Sequence, residues 1–375
     1  MNLAESALIA RAGGIEFTGG GRLERPQMLD HLDALGLRQL VSEAAGEDGA
    51  GFALAPHWSA SFAADGDTMC LCRDLGLDTE ASVTDLEREI VLAMLAAPRP
   101  LRFPGFAEFL SSVAIRRNIV LAARRTQLAF GTSHAERPAS HWTYDEDRGF
   151  TILPGQPLIE ALRLATQPEA NGGQLYAFSC YRATEYVILL GIAQELERVN
   201  PPLLAALQRQ WERKAIMSGR YHDVFLTEFG SMEEPLPPRW YVPGDRVWFR
   251  NPDEASADAS GYEGSWVIYL GNGVFANFWK RNEPYSFVRK CVEVWHWRHG
   301  TWRDAEGELR MDEEAVEARV RATMAAPLEL ARVLERMARP RDGRGVYAEG
   351  GCIDVSREFP RMVCPGSADI ALPPD

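Results

Sequence analysis

The sequence predicts an α+β fold, because the spacing of its apolar residues changes from helical to alternating part-way along the chain. Between residues 104 and 217, apolar residues recur at intervals of three and four, which is typical of amphipathic helices. From Trp240 onward, short runs of β-branched and aromatic residues alternate with polar ones. The dipeptide Asn272-Gly273 separates two such runs and is a strong hairpin signal. We therefore expect helices packed on a small antiparallel sheet.

Composition limits the classes of protein to consider. The chain has 375 residues, 46% of them hydrophobic, so it can bury a substantial core. Its formal net charge of -13 argues against a nucleic-acid partner, which would need a cationic face. Neither a secretory signal nor an apolar run of membrane-spanning length is apparent, which predicts a cytoplasmic protein without a membrane partner.

Three sections can be separated along the chain. Residues 1–98 form an accessory section with a short helix near 27–40 and a longer one whose start is marked by a capping box, Thr84 followed by Glu87. The segment Pro98-Arg99-Pro100 ends that helix and is typical of a linker. Residues 303–375 predict a helical appendage followed by a tail rich in glycine and proline.

The central section, residues 99–302, holds the helices and strands expected to form a catalytic core. Predicted helices cover the run FAEFLSSVAIRRNIVLAARRTQLAF from Phe106, residues 158–165, the run that follows Cys180, and residues 203–217. Predicted strands cover WYVPGDRVWF, SWVIYLG, GVFANFW and RKCVEVWHWR.

Cys180 is the strongest candidate for a functional residue. It lies between a loop with two glycines and the apolar run 186–190, where a helix is expected to begin. Backbone N–H groups at a helix N-terminus favour a thiolate, and the thiolate is the nucleophilic form of cysteine. The alternative is an inert buried thiol, since free cysteine is among the most buried residue types. The spacing of the six cysteines does not suggest a disulfide framework or a zinc site.

Several blocks of the central section resemble one known family. FAEFLSSVAIRRNIVLAARR, the segment around His141-Trp142, FSC at 178–180, and GDRVWFRNP followed by GSWVIYLGNGVFAN are similar, in the same order, to the bacterial spore-coat protein-glutamine γ-glutamyltransferases. The resemblance covers about 104–302. The β portion is also similar to NlpC-type cell-wall peptidases. The resemblance implies a papain-like core in which a nucleophile helix packs on a small antiparallel sheet.

The resemblance also assigns site residues, and it does so with substitutions. The nucleophile falls on Cys180, while the family's two glutamates fall on Ser179 and Ser265 and its histidine falls on Asn277. An asparagine can orient a base through a hydrogen bond, but a serine cannot be the base at neutral pH.

Our first choice for the missing base is Glu263. It stands two residues before Ser265, so both side chains point to the same face if the strand extends that far. Glu185 on the nucleophile helix and His296 on a predicted strand are alternatives, each more typical of a buried structural residue. The alternative to a catalytic role is that Glu263 is an exposed carboxylate beside a turn.

Two serines and two tryptophans complete the predicted site. Ser179 and Ser265 occupy the positions of the family's glutamates, and we expect them to contact the substrate. Trp266 and Trp279 are expected to line a tunnel that keeps water from a thioester. The alternative is that they belong to the hydrophobic core, as aromatic residues on short strands often do.

The leading functional hypothesis is a transglutaminase-type acyltransferase. It would form a thioester between Cys180 and a protein glutamine and pass the acyl group to a lysine amine, so its partners would be proteins that bear these side chains. No metal or nucleotide cofactor is implied, because no phosphate-binding glycine loop or ligand cluster is apparent. Two alternatives stay open: a binding module that has lost its activity, and a deamidase or peptidase in which water replaces the amine.

Overall fold

The computed structural model describes residues 13–19, 23–45, 50–131, 135–216, 218–341 and 350–372. The first twelve residues, on which the expectation about a secretory signal rests, lie outside these ranges. Within the ranges, no helix combines the length and the apolar character needed to cross a bilayer.

Helices and strands are mixed along the chain, which confirms the predicted α+β class. The helices are α1 (Glu24–Ala34), α2 (Pro56–Phe62), α3 (Leu71–Leu75), α4 (Val83–Leu95), α5 (Phe106–Arg125), α6 (Leu158–Thr166), α7 (Cys180–Val199), α8 (Pro201–Arg213), α9 (Ser218–Phe225), α10 (Glu254–Ala257), α11 (Phe287–His296), α12 (Glu313–Met324) and α13 (Pro327–Met337). The strands are β1 (Gly14–Phe17), β2 (Val41–Ala45), β3 (Ala50–Leu54), β4 (Pro100–Phe103), β5 (Ala129–Phe130), β6 (Trp142–Asp145), β7 (Gly149–Ile152), β8 (Ala177–Phe178), β9 (Leu226–Phe229), β10 (Arg246–Arg250), β11 (Gly264–Gly271), β12 (Val274–Phe275), β13 (Tyr285–Ser286), β14 (Thr301–Arg303), β15 (Leu309–Met311) and β16 (Arg357–Pro360).

The sheet that carries the site is antiparallel and has the strand order β13-β12-β11-β10-β16-β9. The predicted hairpin joins β11 to β12, and its two turn residues, Asn272 and Gly273, have φ angles of 50° and 71°. Positive φ at both positions is what a tight hairpin turn requires, and Asn-Gly supplies it at low cost. Strand β16 is the last described strand of the chain, yet it lies between β10 and β9.

Helix α7 is the central helix of this region and packs on α5 and on β11. Its apolar run from Val187 to Leu190 is completely buried, which explains why the run is apolar on every side. At the crossing with α5, a Cβ on Gly191 would lie 2.5 Å from Ile119 Cγ1. The glycine therefore allows the two helices to approach closely. A helix that starts at the predicted nucleophile thus packs on an antiparallel sheet, as predicted.

The N-terminal section contains a second sheet that the sequence analysis did not predict. Its strand order is β2-β3-β1-β4, with β4 parallel to β1. The segment after Pro98, predicted as a linker, therefore runs into a strand of the N-terminal section. The helix α4 is present, but its N-cap is Ser82, whose side chain accepts a hydrogen bond from the backbone of Asp85, and not Thr84. The section boundaries at 98 and 302 stay predictions.

The prediction of a strand at RKCVEVWHWR is wrong, because residues 287–296 form α11. Ser286 caps the helix by accepting a hydrogen bond from the backbone N–H of Arg289. The aromatic and β-branched residues that suggested a strand instead pack against α12 and α13. His296 accordingly lies on a helix, with its Nε2 2.8 Å from Thr323 Oγ1.

A buried glutamate connects the N-terminal section to the hairpin. Glu89 of α4 accepts hydrogen bonds from the Asn272 backbone N–H at 2.8 Å and from the Tyr269 hydroxyl at 3.4 Å. Burial raises the pKa of Glu89 above its ordinary value. The first section therefore supports the end of β11 that is remote from Cys180.

Candidate active site

Cys180 is the first residue of α7, and Ser179 is the N-cap. The Ser179 hydroxyl accepts a hydrogen bond from the Arg182 backbone N–H at 3.2 Å, which satisfies one of the free donors of the first turn. The nucleophile candidate therefore stands at the start of a long, buried helix, as the sequence predicts.

The sulfur of Cys180 lies against the beginning of β11. The backbone N–H groups of Trp266 and Tyr181 and the positive charges of Lys290 and Arg246 all act on it in the direction that favours the thiolate. Burial raises the pKa of the Cys180 thiol above its ordinary value, and these four groups oppose the rise. Because burial is the largest effect, ionisation of this thiol depends on a nearby group that can take its proton.

Cys180 opens into a cavity of about 720 Å³. The cavity is lined by the start of α7, the start of β11, the segment 277–285, α11 and α12. All six cysteines lie in described positions, and Cys180 is the one that lines this cavity. Because α12 supplies one wall, the section predicted as a C-terminal appendage takes part in the site.

Lys290 of α11 lines the same cavity and is only 1% exposed. Its Nζ lies 3.2 Å from each carboxylate oxygen of Glu293 and 3.3 Å from the centre of the Tyr285 ring. Burial lowers the pKa of Lys290, whereas Glu293 and Cys180 act to raise it. The sequence analysis did not consider this residue.

Arg246 of β10 contacts the first turns of α7, and its positive charge acts on the sulfur. Its guanidinium is buried between the rings of Tyr181 and Trp266, at 4.2 and 4.1 Å from their centres. It donates hydrogen bonds to Thr184 at 2.9 Å and to Glu358 of β16 at 2.9 Å. Arg246 therefore ties the nucleophile helix to the central sheet.

Glu358, the partner of Arg246, also binds His222 of α9, with the two atoms 3.0 Å apart. Burial alone would raise the pKa of Glu358, but the hydrogen bonds and charges of His222 and Arg246 hold it below the ordinary value. The hydrogen bond to Glu358 in turn raises the pKa of His222. The carboxylate of Glu358 is therefore ionised at neutral pH and compensates the buried guanidinium.

The structure brings Ser265 and Asn277 into the cavity beside Cys180. Asn277 is buried, and its side chain is fully occupied with the loop that follows. Its Nδ2 donates to the Glu283 carbonyl at 2.9 Å, and its Oδ1 accepts from the backbone N–H groups of Trp279 and Lys280 at 3.2 and 3.1 Å. Asn277 therefore shapes the cavity wall, and among the described residues no imidazole or carboxylate is hydrogen-bonded to it.

Glu263, our first choice for the base, is not among the residues that line the cavity. Strand β11 begins at Gly264, so Glu263 precedes the strand and its side chain is exposed. The geometry does not support its role as the base. Glu185 does not line the cavity either, and its buried carboxylate pairs with Arg182 at 2.9 Å.

The two predicted tryptophans lie on different sides of the sheet. Trp279 lines the cavity and packs edge-on against Phe130, with the ring centres 5.3 Å apart. Trp266 instead stacks on Trp248, with centres 5.0 Å apart, and covers Arg246. Since neighbouring strand residues point to opposite faces, the side chain of Ser265 faces the cavity and that of Trp266 does not.

A test of the capping role follows from this geometry. Changing Ser179 to alanine removes the hydrogen bond to the Arg182 N–H, and we expect the free energy of unfolding to fall by about 1 kcal/mol. Denaturant titration measures the loss. A matched change at Ser140, an exposed serine outside the caps, should leave stability within about 0.5 kcal/mol. Equal stability of both variants would contradict the capping role.

The model of the protein-glutamine gamma-glutamyltransferase family matches residues 70–344. The chain belongs to this family. Membership in the transglutaminase family confirms the expected enzyme class and implies protein glutamine and lysine side chains as substrates.

Searches beyond the family model find little sequence similarity. No curated protein matches the chain significantly. Among solved structures, the chain is similar to the transglutaminase from Geobacillus stearothermophilus without its C-terminal extension. The two share 20% identity over 58% of this chain and 98% of the other, with a TM-score of 0.40.

Proposed function

We propose that this transglutaminase acts through Cys180, which forms a thioester with a protein glutamine and transfers the acyl group to a lysine amine. The observation that carries the proposal is the position of the Cys180 sulfur. It lies at the N-terminus of a buried helix, it opens into the cavity, and two nearby backbone N–H groups favour its thiolate. This is the arrangement that a cysteine nucleophile requires.

The surroundings of the sulfur support the acylation step. The thiolate attacks the side-chain carbonyl carbon of glutamine, and negative charge develops on the oxygen of the tetrahedral intermediate. The backbone N–H groups of Trp266 and Tyr181, which act on the sulfur, can also stabilise charge that develops beside it. Collapse of the intermediate releases ammonia and leaves the γ-glutamyl group on Cys180.

The charges of the cavity support an amine as the second substrate. Carboxylates outnumber cationic groups among its lining residues, and the field of such a wall attracts an incoming ammonium group. The carboxylates belong to Glu283, Glu293, Glu313, Glu314 and Glu317, and the cationic groups to Lys280, Arg289, Lys290 and Arg321.

Aromatic side chains support transfer over hydrolysis. Trp279, Phe130 and Tyr262 line the cavity next to Cys180, with Phe130 and Tyr262 edge-on at 6.4 Å between ring centres. Such rings can shield a thioester from water while an amine approaches. No step of the proposed reaction requires a metal or an organic cofactor.

The experiment measures two products from one reaction. The enzyme is incubated with a glutamine-bearing protein and a fluorescent primary amine, and amine incorporation and ammonia release are followed together. We expect both to increase in parallel. Ammonia release without incorporation would make the protein a deamidase, and the absence of both would contradict the proposal.

Alkylation of the resting enzyme gives a second measurement with an internal control. Cys70 is also half-buried and also precedes a helix, α3, but it does not line the cavity. If Cys180 is the nucleophile, a limiting amount of iodoacetamide should label Cys180 before Cys70 and should abolish incorporation in proportion. Labelling of Cys70 first, with activity retained, would contradict the assignment.

A further inference from the structure

We propose that Lys290 is the proton carrier of the active site and that Glu293 positions it. This inference rests on the proposed function, because it names the group that exchanges protons with Cys180 and with the two substrate nitrogens. It fills a place that Ser179, Ser265 and Asn277 leave without a base.

The position of Lys290 is unusual for a lysine. Lysine is rarely fully buried, but Lys290, whose charge is paired with Glu293, is only 1% exposed and lines the cavity that Cys180 opens into. Its electrostatic interaction with the sulfur affects both groups. Burial of the amine and burial of the thiol shift the two pKa values in opposite directions, which brings their proton affinities closer together.

The composition of the chain gives an independent reason to expect a special role. Of its 40 basic residues, only three are lysines: Lys214, Lys280 and Lys290. A guanidinium does not give up its proton in a protein, whereas a buried lysine amine does so readily. A chain that uses arginine almost everywhere else keeps a lysine at this buried position in the wall of the cavity that Cys180 opens into. This choice is what proton exchange requires.

The proton passes through Lys290 in both halves of the reaction. During acylation, the neutral amine takes the Cys180 S–H proton, the thiolate bonds to the glutamine carbon, and the ammonium protonates the leaving nitrogen as the C–N bond breaks. During transfer, the neutral acceptor amine bonds to the thioester carbon and gives one proton to Lys290. The C–S bond then breaks, and the ammonium returns this proton to the released thiolate.

Glu293 acts through Lys290. Both of its carboxylate oxygens lie 3.2 Å from Nζ, one turn along α11, so the amine is held in one orientation. The ion pair also stabilises the ammonium form that each half of the reaction creates. Glu293 is therefore a positioning residue, in the role that Asn277 was expected to have.

The experiment separates the charge of Lys290 from its ability to exchange a proton. Lys290→Arg keeps the positive charge beside the sulfur, and Lys290→Met removes it. We expect kcat for amine incorporation to fall by about 10²–10⁴-fold in both, with little change in the KM of the amine. Only Lys290→Met should shift the pH dependence of Cys180 alkylation upward, since only this variant loses the charge that favours the thiolate.

Lys214→Met, at a lysine beyond the end of α8 that does not line the cavity, is the matched control and should retain wild-type rates.

Among the described residues, several titratable groups act on Lys290 and contribute to the pH profile. Those groups come from four elements or segments, and the variants leave all of them in place. They are Arg289 and Glu293 of α11, Cys180 of α7, Tyr285 of β13, and Cys352 of the segment that precedes β16.

Each result supports or overturns the inference. If Lys290→Arg works at a rate within about threefold of wild type, proton exchange does not need the amine and the inference fails, while the proposed function stands. If wild type itself does not incorporate the amine, the proposed function fails. Should neither Lys290 variant fold, as judged by thermal melting, Glu293→Gln decides, since its side chain is only partly buried. We then expect kcat to fall about tenfold or more at unchanged KM, and an unchanged kcat would overturn the inference.

Discussion

Changing Cys180 to alanine is expected to lower the rate of amine incorporation by about 10⁴-fold or more, to the background of the assay. The variant keeps the cavity and the carboxylates that line it. Binding of the amine should therefore persist while both ammonia release and incorporation disappear. The measurement is the initial rate with a glutamine-bearing protein and a fluorescent primary amine. Because the change removes a single sulfur atom from a half-buried position, the melting temperature should stay close to that of wild type.

Cys70→Ala is the control for this prediction. It removes another half-buried cysteine, outside the cavity, and should leave the rate unchanged. If Cys180→Ala retained more than a small fraction of the wild-type rate with its fold intact, the nucleophile would have to be sought elsewhere.

Changing Arg246 to methionine is expected to lower the free energy of unfolding by about 3–5 kcal/mol. The reason is the carboxylate of Glu358, which is buried and would lose its guanidinium partner at 2.9 Å, so that only the partly exposed His222 remains to compensate it. Thr184 would also lose its hydrogen-bond donor. Urea or guanidinium chloride titration measures the loss, and alkylation of Cys180 in the folded variant should be slower because a positive charge near the sulfur is gone.

Two further variants test whether the unpaired charge is the cause. Adding Glu358→Gln to Arg246→Met removes the carboxylate that has lost its guanidinium partner and should recover part of the stability. Arg332→Met changes an exposed arginine whose pair with Glu329 is long, at 3.9 Å, and should alter stability by less than about 1 kcal/mol. A loss of similar size in Arg246→Met and Arg332→Met would contradict the argument.

The parts of the fold that could be predicted are those whose signals are local. The long helix α5, the start of α7 at Cys180 and the Asn272-Gly273 hairpin each follow from the spacing of neighbouring residues. The N-terminal sheet could not be predicted in this way, because β1 pairs with β3 and β4, which are distant in sequence. Helix α11 was taken for a strand because its valines and tryptophans alternate, although Ser286 supplied a capping signal.

The candidate site was predicted only in part, for a similar reason. The position of Cys180 depends on its own helix, whereas the groups that act on it come from β10, β11 and α11. Lys290 was missed because an isolated lysine is normally exposed, and a strand prediction gave no reason to place it in the cavity. The scarcity of lysine in the chain was the available signal. Glu263 was chosen because the sequence does not mark where β11 begins, and the strand starts one residue too late.

The insertion of β16 between β10 and β9 has a consequence for biosynthesis. The ribosome produces the chain from its N-terminus, so β9 and β10 emerge long before the strand that joins them. Until residues 357–360 are made, Arg246 lacks its partner Glu358, and β10 and β9 are not yet joined by β16. A nascent or prematurely terminated polypeptide would therefore carry Cys180 in unfinished surroundings until β16 has been made.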